Sequence, residues 1–536
     1  MSRYYTLFIS ILLSFVFLIT GIQISPHFYW VAGLFVALSA LGIRDALQRH
    51  HSILKNYPII GHMRWVLEMI RPELRQYFFS SDTEETPFNR EQRSLVYQRS
   101  KLDNDKIPYG TKTNVYENGH EWLNHSIVPT KVSDEACHIV IGGKDCAQPY
   151  KASVLNISAM SFGALSGNAI RALNRGAKLG GFAHDTGEGS ISVHHRSEGG
   201  DLIWEIGTGY FGCRNPDGTF SPDAFKQQAR NDQVKMIEIK VSQGAKPGHG
   251  GILPGAKVTP EIAEARHVPL GQDVISPASH SAFSNPIEMM KFIKQLRDLS
   301  GGKPVGFKMC IGHKWEFMAI LKAMIETNIK PDFIVIDGAE GGTGAAPIEF
   351  ANHIGTPLVE ALQFACNALT GAGLRDGISV GASAKIVSAF DMIRLLSIGA
   401  DFTNSARAFM MSIGCIQSLS CHNNLCPTGI ATQDKLRQRA VNVKGKAERV
   451  KNFHNNTIHA LREVLSASGL SGPADLRHIH FNMRDGDGYA RGAEDNGPWL
   501  ESGELLTGTE HKTYARSWMR ADANSFKPTF LSTEDK

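Results

Sequence analysis

The stretch MIEIKVSQGAKPGHGG (Met236–Gly251) says most about how this chain folds. It begins as an apolar run rich in isoleucine and valine, which predicts a buried strand. It then continues directly into a loop rich in glycine and lysine. Glycine lets a backbone approach a ligand closely, and α/β barrels carry their active sites on the loops that follow their strands. The stretch therefore predicts a barrel strand that opens into a functional loop.

The same alternation of a short apolar run, a polar loop and a helix recurs from residue 151 to residue 415. The candidate strands are Ser153–Ser158, Gly181–His184, Met236–Val241, Val274–Ser276, Val305–Cys310, Phe333–Asp337, Ile378–Gly381 and Asp401–Asn404. The helical candidates include Ser166–Lys178, Pro286–Leu299, Lys314–Thr327, Pro357–Ala372 and Lys385–Ile398. Eight strand–helix repeats within about 270 residues predict an α/β fold, the (β/α)8 barrel. A doubly wound open sheet is the alternative, and it is disfavoured because no Gly-x-Gly-x-x-Gly follows the first strand.

Three of the eight cysteines stand close together in GCIQSLSCHNNLCP (Gly414–Pro427), as Cys415, Cys421 and Cys426. Thiolates are the usual ligands of iron–sulfur clusters, and a proline after the last cysteine recurs in bacterial ferredoxin runs. Three thiolates suit a three-iron cluster or an incomplete four-iron cluster. Two other interpretations stay open on spacing alone. Cysteine also packs as a small hydrophobe, and Cys421-His422 could help to build a zinc site.

The composition is that of a large globular protein. Its 536 residues include 42% hydrophobic and 20% charged residues, with a formal net charge of +4. No basic run is interleaved with aromatic residues, so nothing points to nucleic acid. Eight cysteines in a chain of this length do not imply a disulfide framework.

The first 43 residues differ from the rest. YYTLFISILLSFVFLITGIQI (Tyr4–Ile24) and FYWVAGLFVALSALGI (Phe28–Ile43) carry no charge. They predict a transmembrane hairpin. Arg3 precedes the hairpin and Arg44 follows it, so the positive-inside rule places the body in the cytoplasm, at the cytoplasmic membrane. A signal peptide is one alternative. A second run lying in the membrane interface is another, and it would place the body on the other side.

The predicted organisation has five parts. Residues 1–43 form the anchor, and residues 44–150 form a connecting region with an amphipathic segment, Trp65–Phe79, interrupted by Pro72, and a polar connection, Ser80–Ser100. Residues 151–415 form the barrel. Residues 415–470 form the cysteine loop and closing helices, and residues 471–536 a carboxyl-terminal extension.

Five motifs in order resemble one known family. They are MSFGALS (Met160–Ser166), DTGEG (Asp185–Gly189), IKVSQGAKPGHGGILPGAKV (Ile239–Val258), GGTGAAP (Gly341–Pro347) and CIQSLSCHNNLCPTGIATQ (Cys415–Gln433). From about residue 150 to 470 the chain resembles the FMN-binding synthase domain of glutamate synthases, both the ferredoxin-dependent enzymes and the large subunit of the pyridine-nucleotide-dependent ones. In that family the barrel binds FMN, and the cysteine loop holds a [3Fe-4S] cluster.

The resemblance implies reductive amination of 2-oxoglutarate with ammonia to L-glutamate. It assigns substrate and proton handling to Glu188, Gln243, Lys246 and Arg266. It assigns FMN to Met160, Ser161, Gly163, Lys240, Lys308, Gly381, Ala382, Ser405 and Ala406, with Arg407 as a charge partner of the phosphate. It assigns the cluster to Cys415, Cys421 and Cys426. Lys240 and Lys308 have an alternative interpretation as ion-paired barrel residues.

Two departures qualify the resemblance. Met1-Ser2-Arg3 leads into an apolar segment where the family has the cysteine nucleophile of a glutaminase domain, and His249 stands where the family commonly has Glu. The nitrogen is therefore expected to come from outside the chain, as ammonia or through a separate amidotransferase. No nucleotide-binding fingerprint is evident, so we expect a protein electron donor. The alternatives are an FMN enzyme for another amine or 2-oxo acid, similar to N-methylglutamate synthase, and a non-catalytic flavin-binding membrane scaffold.

Overall fold

A computed structural model describes residues 2–253, 255 and 258–530 of the chain. Pro254, Ala256 and Lys257 of the third motif, and residues 531–536 of the predicted extension, lie outside the described residues. The chain divides into two compact units, residues 1–91 and 92–536.

The first unit is built on two antiparallel apolar helices, Tyr5–Gln23 and Phe28–Leu47. Phe17 stacks on Phe28 and on Phe35, and the hydroxyls of Ser10 and Ser39 are 3.0 Å apart. Both helices are long and apolar enough to cross a membrane, by length and composition alone, which is weak evidence for a membrane span. Two further helices follow, Ser52–Asn56 and His62–Leu74.

The prediction that Pro72 interrupts the amphipathic segment is wrong. The α-helix runs through Pro72 to Leu74 and continues as one π-helical turn, Arg75–Phe79. The helix continues past the proline because the Arg75 amide donates to the carbonyls of Arg71 and Pro72. The π turn itself is closed by the Ser80 amide, which donates to the Arg75 carbonyl, five residues earlier.

The second unit contains the predicted (β/α)8 barrel. Its parallel strands are β1 (Leu155–Ile157), β2 (His184–Asp185), β3 (Leu202–Ile206), β4 (Val234–Lys240), β5 (Val305–Met309), β6 (Phe333–Asp337), β7 (Ser379–Ser383) and β8 (Phe402–Ser405). They pair in chain order, and β8 pairs with β1 to close the barrel. All active-site loops that follow these strands therefore lie at one face.

One predicted barrel strand is wrong and another was missed. Val274–Ile275 pairs antiparallel with Ile252–Leu253, outside the barrel, and Ile275 is 65% exposed. The third barrel strand is Leu202–Ile206, whose five residues are all buried. Its apolar run contains Glu205, a carboxylate that faces the barrel interior and breaks the hydrophobic pattern of a buried parallel strand.

Helices surround the barrel. They are Gly167–Gly180, Val193–Arg196, Pro222–Ala229, Pro260–Arg266, Pro286–Ser300, Lys314–Thr327, Ile348–His353, Leu358–Gly371, Ala389–Ile398, Arg407–Ser412, Lys435–Gln438 and Val443–Ala467. Local sequence sets their ends: Asn285 caps Pro286–Ser300 by accepting from the Glu288 amide, and Gly301 ends it at φ +82°. Gly176 lets Val450 of the long helix Val443–Ala467 pack directly on Gly167–Gly180, where a Cβ would collide with it.

Segments before and after the barrel complete the second unit. The hairpin His138–Ile141 and Tyr150–Ser153 covers the amino-terminal end of the barrel, where Ile141 and Ala152 pack against Phe333 and Phe402. Strands Glu121–Leu123, Phe481–Arg484 and Ala490–Gly492 form a separate antiparallel sheet.

The polar stretch Ser80–Ser100, predicted as a connection, contains most of the helix Arg90–Lys101. The last helices are Glu504–Thr507 and Lys512–Arg520, and short 3-10 turns lie at Ser2–Tyr4, Glu135–Cys137, Pro473–Asp475, His478–His480 and Ala493–Asn496.

Candidate active site

Charged side chains meet at the carboxyl-terminal face of the barrel. Glu188, in the loop after β2, forms an ion pair with Lys240, the last residue of β4. Gly207, directly after β3, has no side chain that would obstruct this pair. A Cβ there would lie 3.0 Å from Glu188 Cβ and 3.1 Å from its Oε2. Three neighbouring strands therefore build one charged corner of the mouth.

The environment of Glu188 keeps its carboxylate ionised. Burial by itself raises its pKa, but Lys240 and, at longer range, Arg266 and Lys246 outweigh burial and bring the pKa to about 2. The structure thus brings together four of the residues predicted for this site.

Arg266 is the last residue of the helix Pro260–Arg266 and is only 6% exposed. Its Nη2 donates to the Phe162 carbonyl at 3.1 Å, and its guanidinium lies 5.1 Å from the centre of the Phe211 ring. Its Nε has no hydrogen-bond partner among the described residues. A buried guanidinium with an unused N–H is a group that a carboxylate ligand satisfies.

The loop after β1 forms the next part of the mouth. Gly163 has φ +105°, and a Cβ on it would lie 3.1 Å from Arg266 Nη2. Gly187, at φ +64°, packs so closely on this loop that a Cβ would lie 2.6 Å from the Ser161 amide and 2.9 Å from the Met160 carbonyl carbon. Met160, Ser161 and Gly163, the three residues predicted here for FMN, therefore lie on one loop next to Arg266. Gln243 lies half-buried in the loop after β4.

A second charged cluster lies inside the barrel, beneath the mouth. Carboxylate oxygens of Asp185, Glu205 and Glu238 all lie within 4.8 Å of one another, a spacing that suits a metal ion. Lys308 occupies this position: its Nζ pairs with Glu205 and lies 3.1 Å from Glu238 Oε1. Lys308 is only 4% exposed. The cation of this cluster is therefore the Lys308 ammonium group. Lys308 is ion-paired inside the barrel, as its alternative interpretation in the sequence predicts.

This cluster has more carboxylates than cations. Burial lowers the pKa of Lys308, but the surrounding carboxylates outweigh it and raise the pKa well above its usual value. Burial raises the pKa of Glu238 to about 7, with a further rise from the charge of Glu205 and a partial offset by Lys308. Burial and the charge of Glu238 also raise the pKa of Asp185.

The loops after β7 and β8 bring two cations together. Gly381 and Ala382 lie within β7, paired with β6 and β8. Ser405 ends β8 and donates to the Ile386 carbonyl at 2.6 Å, and Ala406 follows it. Arg407 donates to the Glu340 carbonyl at 3.0 Å. Burial lowers the pKa of Arg407 to about 10, although Asp337 and Glu340 oppose this.

Lys385 is a further cation here that the sequence interpretation missed. It follows β7 at φ +45°, and its pKa is lowered by burial and then by the charge of Arg407. Two close, partly buried cations on the last two barrel loops form the charge pattern that a phosphate stabilises. No sequence motif marked Lys385, because its closeness to Arg407 depends on how β7 and β8 pair.

His280 and Tyr210, which the sequence interpretation also missed, support the Lys240 end of β4. His280 Nε2 lies 2.9 Å from the Lys240 carbonyl oxygen, and its Nδ1 lies 3.0 Å from the Tyr210 hydroxyl. Burial lowers the pKa of His280 to about 4, so the ring is neutral at physiological pH. Neither residue stands in a recognisable motif.

The cysteine loop lies against the mouth. The Gln433 side chain donates to the carbonyls of Gly163 and Leu165 at 3.1 and 3.0 Å, and the Ser166 amide donates to the Ile430 carbonyl. The Tyr97 hydroxyl, from the helix Arg90–Lys101, donates to the Cys415 carbonyl at 2.7 Å. The bonds of Gln433 and Ile430 fix the loop to the segment that follows β1, and the Tyr97 bond fixes it to the helix Arg90–Lys101.

The three cysteines are electrostatic neighbours. Burial raises the pKa of the Cys415 thiol to about 11, and the charges of Cys421 and Cys426 raise it further, while Arg93 opposes them. Cys426 shows the opposite shift: burial raises its pKa, but hydrogen bonds from the Thr428 hydroxyl and the amides of Thr428, Ile430 and Ala431 outweigh burial and lower it. A ring of donors around sulfur stabilises a thiolate, the form that ligates iron. Gln417, Leu419 and Asn424 all have positive φ, so the backbone curls tightly between the cysteines.

The sequence also matches a family profile. The conserved region of glutamate synthase matches residues 110–471, about two thirds of the chain. The chain belongs to the glutamate synthase family. A glutamate synthase large subunit-like protein of Bacillus subtilis, YerD, is 38% identical over 486 residues, covering 83% of this chain and 92% of that protein. As a glutamate synthase-like protein, the chain is an oxidoreductase.

Other relatives align over a shorter part of their length. The archaeal glutamate synthase [NADPH] of Methanocaldococcus jannaschii is 34% identical over 333 residues, covering 61% of each protein. The archaeal-type glutamate synthase [NADPH] of Thermotoga neapolitana is 33% identical over 321 residues, covering 60% of each. Among solved structures, a mandelate oxidase covers 73% of this chain at 15% identity with a TM-score of 0.41, a likeness too weak to argue from.

Proposed function

We propose that this glutamate synthase-like oxidoreductase uses FMN and a [3Fe-4S] cluster to convert 2-oxoglutarate and ammonia to L-glutamate. The observation that carries the proposal is the convergence of Lys240, Lys246 and Arg266 on Glu188 at the barrel mouth, with the cysteine loop bonded to the same face. A dianionic 2-oxo acid requires such a cationic pocket, and electron delivery requires a nearby redox centre.

The residues at the mouth fit FMN. Lys385 and Arg407 carry the charge that a phosphate neutralises, and the buried Asn404 Oδ1 at the end of β8 has no partner among the described residues. The Met160–Gly163 loop and Lys240 would hold the isoalloxazine. When bound, FMN supplies hydride transfer and the cluster supplies single electrons. Lys308, which the resemblance also assigns to FMN, lies beneath the mouth in its ion pairs with Glu205 and Glu238.

The substrate roles follow from charge and burial. Arg266 binds a substrate carboxylate through its unused N–H, and Lys246 contributes a second cation. Gln243 can hydrogen-bond the same carboxylate. We assign the proton handling during nitrogen addition to Glu188, which its ion pair with Lys240 orients. With a pKa of about 2 the carboxylate is a weak base, so this role depends on the neighbouring cations, Lys240 first, that set the pKa.

The cysteine set fits an iron–sulfur cluster. Cys415, Cys421 and Cys426 would ligate three irons, and the donors around Cys426 favour the thiolate.

We further propose that the helices Tyr5–Gln23 and Phe28–Leu47 anchor the enzyme in the cytoplasmic membrane with the barrel in the cytoplasm. A protein partner donates electrons, and ammonia arrives free or from a separate amidotransferase. The predicted division into anchor, connecting region, barrel, cysteine loop and extension belongs to the same proposal.

The test is anaerobic purification of the full chain, followed by flavin and iron quantitation and an absorption spectrum. We expect one FMN and about three irons per chain. Chemically reduced enzyme should then reoxidise only when 2-oxoglutarate and ammonia are both present, with L-glutamate as the product. A preparation with zinc and no iron would overturn the cluster assignment. Turnover with methylamine and not with ammonia would favour the N-methylglutamate interpretation.

A conservative variant tests the substrate site. Arg266→Lys keeps a positive charge but loses the N–H that the structure leaves unbonded, so KM for 2-oxoglutarate should rise by about tenfold or more while FMN content stays unchanged. Arg230→Lys, on the outer surface of the barrel, is the matched control. An unchanged KM in Arg266→Lys would remove Arg266 from the substrate site.

A further inference from the structure

The helix His62–Leu74 and its π-helical extension carry an exposed groove of about 740 Å³. We call it the arginine groove, and its lining residues are Met63, Arg64, Leu67, Glu68, Arg71, Leu74, Arg75 and Phe79. None of the residues of His62–Leu74 is buried. The described part of the first unit therefore displays an amphipathic helix whose apolar side is largely exposed.

The apolar side is unusually exposed for side chains of this size. Leu67 is 53% exposed, Phe78 is 76% exposed and Phe79 is 78% exposed. A contiguous exposed apolar surface of this kind marks a binding surface. Along the same helix, Arg64, Arg71 and Arg75 recur at spacings of seven and four residues, so they lie on one side, next to the leucines.

The start of this helix is bonded to the end of the apolar helical pair. His62 Nε2 lies 2.9 Å from the carboxylate of Asp45, near the end of Phe28–Leu47. The Thr6 hydroxyl donates to the Pro58 carbonyl at 2.6 Å, and Arg3 donates to Asn56 at 2.8 Å. These bonds hold the start of the arginine groove at the end of the pair that also carries Arg3 and Arg44.

We propose that the arginine groove binds an anionic phospholipid at the cytoplasmic surface of the bilayer. The apolar side chains enter the acyl boundary while the guanidinium groups bind the phosphodiester, the pattern of an interfacial amphipathic helix. Glu68 is the one acidic residue among the groove lining, which leaves it net positive. The inference rests on the proposed membrane insertion of the helical pair, because that insertion brings the helix to the surface.

The test uses the full chain in nanodiscs of phosphatidylcholine alone or of phosphatidylcholine with phosphatidylglycerol. Retention of the chain in both discs is measured first. Amide hydrogen exchange of the peptide covering residues 62–79 is then followed by mass spectrometry. We expect stronger protection with phosphatidylglycerol. The triple variant Arg64→Gln/Arg71→Gln/Arg75→Gln should weaken the docking equilibrium about a hundredfold and remove the lipid dependence, since each basic residue near an anionic surface contributes about a fivefold factor.

Controls separate this inference from the proposed anchoring. The triple variant Lys144→Gln/Lys291→Gln/Lys294→Gln removes the same charge from other exposed positions and should leave the protection unchanged. Leu67→Gln/Leu74→Gln should remove protection in both lipids. Failure of the chain to stay in either disc overturns the anchoring. Three outcomes overturn the lipid site while the chain stays in the discs. They are equal protection in both lipids, equal protection in detergent, and protection that requires two copies per disc.

Discussion

Glu238→Gln should make the protein more stable at alkaline pH, although it removes a charge from a buried ion pair. Glu238 is 1% exposed inside the barrel, and its pKa is raised to about 7 from the ordinary 4.5 by burial and by the charge of Glu205. In the unfolded chain, the glutamate ionises near its ordinary pKa. Folding therefore favours the protonated form of this side chain.

The sign of the pH dependence follows from linkage. A group with a raised folded-state pKa gives its full contribution to stability below its unfolded pKa, and that contribution is lost as the pH rises through the folded-state value. For Glu238 the loss occurs from about pH 4.5 to pH 7. At 1.36 kcal/mol per pKa unit, it amounts to about 3 kcal/mol.

Glutamine keeps the shape of protonated glutamate and cannot ionise. At pH 5 the variant and the wild type should therefore be about equally stable. At pH 8 the variant should be more stable by up to about 3 kcal/mol. The entropy of unfolding of residues 92–536 is about 0.9 kcal/mol/K, at roughly 2 cal/mol/K per residue. Dividing the stability gain by this entropy gives a rise in Tm of about 3 °C.

The assay is thermal unfolding of both proteins by circular dichroism from pH 5 to pH 8, each at one scan rate and with saturating FMN. Glu326→Gln, on an exposed helix surface, is the matched control and should give a Tm difference that does not change with pH. A Tm at pH 8 that is lower for Glu238→Gln than for the wild type would refute the reasoning. It would mean that the attraction between Glu238 and Lys308 exceeds the cost of burying the charge.

The other predictions concern the cysteine loop, the phosphate site, one structural ion pair and the Glu188 pair. Cys426→Ser should lose iron and keep FMN, because the barrel mouth does not use this thiol; iron and flavin analysis of the same sample measures both. Arg407→Gln should weaken FMN binding by about tenfold or more, by fluorescence titration of the apoprotein, since it removes one of two close cations. Asp332→Ala should lower stability by about 3–5 kcal/mol, and Tm by about 3–5 °C, because it leaves the buried Arg297 without its 2.9 Å partner. Lys240→Gln should raise the pKa of Glu188, so the acidic limb of the kcat/KM–pH profile should move to higher pH; an unmoved limb would count against Glu188 as the proton acceptor.

The fold was predictable because most of its strands follow one rule. Val305–Met309 and Phe333–Asp337 are short apolar runs bounded by polar loops, and the sequence pattern located both to within one residue. Val274–Ile275 follows the same rule but lies outside the barrel. The hydrophobic pattern indicates that a segment forms a strand, and it does not indicate the partner of that strand. The barrel strand Leu202–Ile206 was missed because its run is only five residues long and contains Glu205. The longer strand Val234–Lys240 was predicted, as Met236–Val241, although it contains Glu238.

The candidate site divides in the same way. Motif residues such as Glu188 and Lys240 could be named from the sequence, because they stand in the motifs that carry the family resemblance. Lys385, His280 and Tyr97 could not, because they stand in none of these motifs and each acquires its role from a partner that the fold supplies: Arg407, Tyr210 and Cys415.

The missed strand carries Glu205, the partner that the ion-paired interpretation of Lys308 did not name. A hydrophobic pattern assumes that buried positions are apolar, and β3 and β4 both violate this assumption with an inward-facing carboxylate, Glu205 and Glu238. Such carboxylates cost free energy unless a cation compensates them, and the compensating group, Lys308, comes from a third strand. The glutamates and the lysine are therefore interpretable only together. The resemblance assigns Lys308 to the flavin, whereas its partners in the structure make it the cation at the centre of an ionic cluster in which carboxylates outnumber cations.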